Sequence, residues 1–226
     1  MFFRISPCIG VVTPNVEQAL EFYRDVMGME VDDTDDGIEL VAGPLHLFLD
    51  PGPQGQAVFE LLVDDLETAQ GKLRFYGFDT LVWSGPERAN LVRDPFGLVF
   101  NIFEFDEDEP LTAEPETASM YRPVIGYVSP SPRPVAEFYS AILQQPANRL
   151  ADGSFFISSG EVGMRFRRGE AESQIVWLAH SAPVESLIDA GCMAMEEDST
   201  VIADPYGLTW AIETRPESTH AVVNPL

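Results

Sequence analysis

The chain has 226 residues, 45% of them hydrophobic and 22% charged, which supplies one or two ordinary cores and excludes a disordered acidic polymer. Its 37 acidic residues outnumber 13 basic ones, for a formal net charge of −24. That balance excludes nucleic acid and anionic membrane surfaces as partners, because both demand Lys and Arg to displace counterions; it admits a cationic ligand, although a solvated acidic surface accounts for most of it.

The opening MFFRISPCIG lacks the long apolar core of a secretory signal, and no apolar run reaches the roughly 18 residues of a membrane span. Cys8 and Cys192 show no disulfide-framework spacing. A soluble cytoplasmic protein is expected.

In chain order, Arg4 to Thr13 alternates as a strand does. Asn15 then caps a helix, with Gln18 three residues on and Val16, Ala19, Leu20, Tyr23 and Val26 on one apolar face; Gly28 stops it. Residues 37–43 and 45–51 read as a hairpin around Gly43-Pro44. The pattern restarts with a strand at 57–63. Asp64 caps a second helix, with Glu67 in the capping-box position, and Gly77 ends it. Segments 80–85, 89–95 and 98–105 supply three more strands, the last two turning at Pro95-Phe96-Gly97.

The second half of the chain repeats the first. IGVVTPNVEQALEFY at 9–23 returns as IGYVSPSPRPVAEFY at 125–139, and DPFGL at 94–98 returns as DPYGL at 204–208, in the same order. A strand at 123–129 leads to a helix opened by Ser131-Pro132. Strands at 154–158, 162–167 and 173–179 follow, then a helix from Pro183 to Gly191, then strands at 192–196, 200–203 and 208–213. The unit is β-α-β-β-β, four times over. This is an α+β chain with mixed sheets and helices on one face. Between the copies, residues 104–123 are rich in acid and proline and read as a self-repelling linker with a boundary near 115. The expected division is a first domain at 1–105, linker 106–121, second domain 122–215 and tail 216–226.

A strand followed by V-E-Q-A-L-E-F-Y-R-D-V-M-G-M, then V-D-D-L near residue 63, then D-P-F-G before a final strand, resembles the vicinal-oxygen-chelate superfamily. That superfamily includes glyoxalase I, fosfomycin-resistance enzymes, bleomycin-binding proteins and extradiol dioxygenases. The resemblance covers both halves. It implies that the four modules pair into two glyoxalase-like domains with curved sheets, each folding into a cup around its ligand. It also implies metal-ligand positions at Cys8, Val58 and Asn101 in the first copy, and at Val124, Gln174 and Ala211 in the second. Valine and alanine cannot coordinate a cation, and neither copy keeps a His/His/Glu or Gln/Glu set. The resemblance is thus to a domain without the usual metal ligands, and no cofactor is expected.

Other residues are candidates on their own chemistry. Cys8 with His46, on a hairpin strand of the same module, would suit zinc, but two such ligands without a carboxylate make a weak site, and a buried cysteine is the commoner case. His46 shares a strand face with Phe48; His180 precedes a helix, and His220 is in the tail. Glu60 shares the parity of Val58 and so faces the cup, where a carboxylate could serve as a base or bind a cation. Arg165 and Arg167 share a strand face, suited to an anion or to solvation. Trp83, Trp177 and Trp210 fall on expected strands, where they could wall a cup for a flat cation or pack a core. The expected cup lining is Cys8, His46, Phe48, Val58, Glu60 and Asn101 from the first copy, with Val124, Gln174 and Trp210 from the second.

The favoured reading is a metal-free binder of a cationic or aromatic small molecule, monomeric or homodimeric. A metal-dependent enzyme like lactoylglutathione lyase or an extradiol dioxygenase, and a non-catalytic scaffold, are the alternatives.

Overall fold

The computed structural model describes residues 2–34, 37–86, 88–105, 124–159, 162–170, 173–178, 184–195 and 201–212. The expected linker, the tail, His180 and His220 lie outside the described residues. Four modules follow one another, each β-α-β-β-β. The first is β1 (Phe3–Thr13), α1 (Val16–Glu21, continued by a π-helical turn Phe22–Val26), β2 (Glu30–Thr34), β3 (Gly37–Ala42) and β4 (Leu45–Pro51). The second is β5 (Val58–Val63), α2 (Leu66–Phe75), β6 (Asp79–Thr80), β7 (Leu91–Arg93) and β8 (Val99–Glu104). The third is β9 (Val124–Ser129), α3 (Pro132–Leu143), β10 (Asn148–Arg149), β11 (Phe155–Ser159) and β12 (Val162–Arg168). The fourth is β13 (Ser173–Leu178), α4 (Val184–Asp189), β14 (Met193–Ala194), β15 (Val201–Ala203) and β16 (Thr209–Ile212).

Each half builds one curved, open eight-stranded sheet, in the orders β2-β3-β4-β1-β5-β8-β7-β6 and β10-β11-β12-β9-β13-β16-β15-β14. The central strand β1 runs parallel to β4 and antiparallel to β5, and β9 does the same with β12 and β13. The registers also match. Ile9 lies against Leu47 and Phe59, and its repeat partner Ile125 lies against Met164 and Val176.

Local signals are used with two displacements. Asn15 caps α1 as expected, its side chain accepting the Gln18 N–H at 3.2 Å. At α2 the cap is Asp65, which accepts the Thr68 N–H at 2.6 Å, whereas Asp64 accepts the Phe2 N–H at 2.9 Å. Consecutive aspartates offer two equivalent caps, and the tie to the N-terminal strand takes the first. The strand expected at 80–85 reduces to Asp79–Thr80, so Trp83 is not on a strand. Asn90, 1% exposed, takes this segment over. Its Oδ1 accepts from the Ser84 and Gly85 N–H groups at 2.9 and 3.0 Å, and its Nδ2 donates to the Gly85, Arg88 and Ile102 carbonyls. A side chain that satisfies so many backbone groups competes successfully with a ladder.

The helices of both halves pack into one apolar core. The halves are joined by a crossed pair of hydrogen bonds. Tyr23, on the π-helical turn after α1, donates to Asp204 Oδ2 at 2.7 Å, and Tyr139 of α3 donates to Asp94 Oδ2. Each aspartate uses its other oxygen to close its own turn. Asp94 accepts from the Phe96 and Leu98 N–H groups, and Asp204 from those of Tyr206 and Leu208. Around these bonds Tyr23 packs on Trp210 and Tyr206, and Tyr139 on Phe96 and Phe100, with ring centroids 5.7–6.5 Å apart. Among the described residues no helix is long and apolar enough to cross a membrane.

Candidate functional site

The polar residues gather on the face of the first sheet turned away from the helices. There β1 makes a bulge. From Ile5 to Ile9 it advances four residues while β5 advances two, from Leu61 to Phe59, so Glu60 stands opposite Ser6, Pro7 and Cys8. Proline suits this place, because a bulge leaves a residue without a ladder partner and Pro7 has no N–H to satisfy. The Ile5 N–H donates to Ser159 Oγ of the second half, and the Cys8 N–H donates to Ser6 Oγ, each at 3.1 Å.

The bulge delivers Cys8 beside His46, its partner on β4, while Glu39 of β3 lies opposite Phe48. His46 Nδ1 and Glu39 Oε1 are in hydrogen-bond contact. Glu60 hydrogen-bonds with Ser6 and the Cys8 thiol. Cys8, Glu39, His46 and Glu60 are each partly buried. Burial pushes the Cys8 thiol up to about 12, and the Glu60 charge adds to the rise. Burial also raises Glu60 above the usual carboxylate value, against hydrogen bonds from Ser6 and Cys8 and the charge of His46. The thiol is therefore neutral at physiological pH. What the face offers a ligand is two carboxylates, an imidazole and the ring of Phe48.

The matching registers give each of these residues a counterpart in the second half. Cys8, Glu39, His46, Glu60 and Asn101 correspond to Val124, Phe156, Gly163, Trp177 and Ala211. Every polar side chain of the cluster is replaced by an apolar residue or glycine. The ring of Phe156 lies so close over Gly163 that no Cβ fits there, and Val124 packs on Val128, Val201 and Ala211. The polar constellation belongs to the first half.

The structure thus brings Cys8, His46 and Glu60 together, with Phe48 and Val58 on the same face. Asn101 is the partner of Glu60 on β8, but its Oδ1 accepts the Asn90 N–H at 3.0 Å and so braces the loop at 84–90. Trp210 does not line a cup. It is fully buried in the core, with Nε1 donating to Asp204 Oδ2 at 2.7 Å, because its strand presents Ala211 to the open face. Register also displaces Gln174. It pairs with Tyr127, and Ile175 is the residue opposite Gly126, where Val58 stands opposite Gly10. Glu39 and Ser6 escape the sequence reading. The signal for Ser6 is the proline inside a strand, whereas Glu39 follows from the pairing of β3 with β4.

No family model matches the sequence, and no curated protein matches it. The fold is that of solved glyoxalase and catechol dioxygenase structures. It is similar to the Mn(II)-bound glyoxalase from Novosphingobium aromaticivorans, with a TM-score of 0.59 at 15% identity over 92% of this chain and 82% of that one. A halotolerant catechol dioxygenase gives 0.53 at 12% identity, covering 93% and 86% of the two chains. The 2,2',3-trihydroxybiphenyl 1,2-dioxygenase from the dibenzofuran-degrading Sphingomonas wittichii gives 0.54 at 11%, covering 93% and 89%.

The residues at the metal-ligand positions that the resemblance implies in the first half do not make a ligand set. Val58 has no donor atom, and the oxygen of Asn101 is engaged by a backbone N–H. Among the described residues no group of three or more His, Cys, Asp and Glu is placed to hold a metal ion.

Proposed function

We propose that the open face of the first sheet binds a small organic cation with an aromatic or apolar body, without a metal. The observation that carries this reading is the convergence of Glu39 and Glu60, both partly buried, at places whose counterparts in the second half are Phe156 and Trp177. Among the described residues no Lys or Arg forms an ion pair with either carboxylate. A buried carboxylate raised by desolvation gains most from an arriving positive charge, and Phe48 beside Glu39 offers a ring face to the same ligand. Bringing a cation to Glu60 also favours its ionised form, so binding releases protons where Glu60 is partly protonated.

The test is calorimetric titration with benzyltrimethylammonium and with aromatic amines. Saturable binding that weakens at least tenfold in Glu60→Gln supports the reading. Equal affinity in that variant, or no binding by any cation, overturns it. Metal analysis of protein purified without chelator or metal resin separates the enzyme alternative: about one equivalent of zinc, iron or manganese per chain would mean that the donor assignment is wrong.

A further inference from the structure

A second recess lies on the other half, away from the open sheet faces. It runs between the first turns of α3 and the β10–β11 hairpin, has a volume of about 470 Å³, and is lined by Arg133, Glu137, Ala147, Arg149, Gly153 and Phe155. That volume is in the range of about 300–1,000 Å³ typical of small-ligand sites. Ala147 and Gly153 keep the recess open. Gly153 has φ +84°, and the guanidinium of Arg149 lies 4.0 Å from where a Cβ on it would stand. Phe155 supplies a partly buried ring packed against the core. Arg133 donates through Nε to Glu137 Oε1 at 2.7 Å, an i,i+4 pair that orients the guanidinium and leaves its terminal N–H groups for another acceptor.

The repeat supplies an internal comparison. Arg133 stands in the motif where the first half has Glu17, and Glu137 where it has Glu21. Arg149 pairs with Phe155 as Asp33 pairs with Ile38 at the same step of the register. At both places an acid of the first half is an arginine in the second, in a chain with 37 acidic and 13 basic residues. Two charge reversals that converge on one recess are not explained by a generally acidic surface. We propose that this groove binds a small anionic molecule, a carboxylate or phosphate monoester, whose charge meets Arg133 and Arg149 and whose apolar body lies on Phe155. The site is independent of the one on the first sheet.

The test is NMR titration of the full chain with benzoate and with phenyl phosphate. The expected result is saturable shifts in the amides of Arg133, Ala147 and Arg149. The paired substitution Arg133→Glu with Arg149→Asp, which restores the charges of the first half at exposed positions, is expected to weaken binding at least tenfold while circular dichroism stays unchanged. Preference between the two probes identifies the anion. Shifts that do not saturate, or affinity unchanged in the double variant, overturn the proposal.

Discussion

Tyr139 of the second half donates its hydroxyl to Oδ2 of Asp94 in the first. The bond has a mirror, Tyr23 to Asp204 at 2.7 Å. The E-F-Y and D-P-x-G motifs that reveal the repeat in the sequence are the two sides of this bond, exchanged between halves. All four residues are at most 4% exposed, so each bond is made where water cannot replace it.

Removing either hydroxyl leaves a buried carboxylate oxygen short of a donor, at a cost of roughly 1–3 kcal/mol. The two losses are expected to differ. Asp204 Oδ2 also accepts Trp210 Nε1 at 2.7 Å, whereas the position of Trp210 in the first half is Phe100, which has no donor. Tyr139→Phe should therefore destabilise more than Tyr23→Phe. Chemical denaturation of both variants checks the order; equal losses would mean that Trp210 contributes nothing to Asp204.

Glu60 makes the candidate site expensive to fold. Its folded-state pKa is raised, chiefly by burial, so between the unfolded and folded values the native state binds more protons. Its contribution is therefore most favourable at low pH and is lost as pH rises from the unfolded value, about 4.3, through the folded one. Glu60→Gln mimics the protonated form. It should raise the melting temperature at neutral pH, and the gain should vanish below about pH 4. A variant less stable than wild type at pH 7 would show that the carboxylate is held by stronger partners than Ser6 and Cys8.

Both cysteines hold their protons, Cys8 up to about 12 and Cys192 up to about 11, each chiefly through burial. Alkylation by iodoacetamide at pH 7.5 should run at least tenfold slower than for an ordinary thiol of pKa about 8.5, since only the thiolate reacts. Cys8→Ala should leave cation binding within about threefold. A complete loss would make Cys8 a direct ligand.

Asn90 is the strut of the loop beside the site. Asn90→Ala removes the side-chain bonds to Ser84, Gly85, Arg88 and Ile102 and should cost roughly 2–4 kcal/mol, since several backbone groups lose partners at once. Hydrogen exchange at Ser84 and Gly85 should accelerate. Unchanged exchange would show that the loop is held by other contacts.

The fold was legible because it rests on local signals repeated in order: a cap at Asn15, stops at Gly28 and Gly77, and alternation along β1 and β4. Glu60 could be named from its strand parity with Val58, Cys8 from the resemblance, and His46 from its chemistry on the same module. What parity could not supply was register. Glu39 reaches His46 because β3 pairs with β4 at a particular step, and Ser6 joins because the bulge at Pro7 gathers three residues opposite Glu60. Trp210 and Gln174 were misplaced by one residue, which is enough to change the face of a strand. Trp83 was lost to a loop because a single asparagine, Asn90, satisfies the backbone groups that a strand would have paired.

The crossed tyrosines bear on what a single half would be. The first half carries both Tyr23 and Asp94, a donor and an acceptor that never meet each other. Cut from its neighbour, it would present the two together with the aromatic rings around them, and a twin copy would present the same pair turned about a two-fold axis. The covalent chain supplies this pairing within one molecule, between two surfaces that are alike but not identical. The faces away from that contact owe each other nothing, which leaves one free to collect acids and the other arginines.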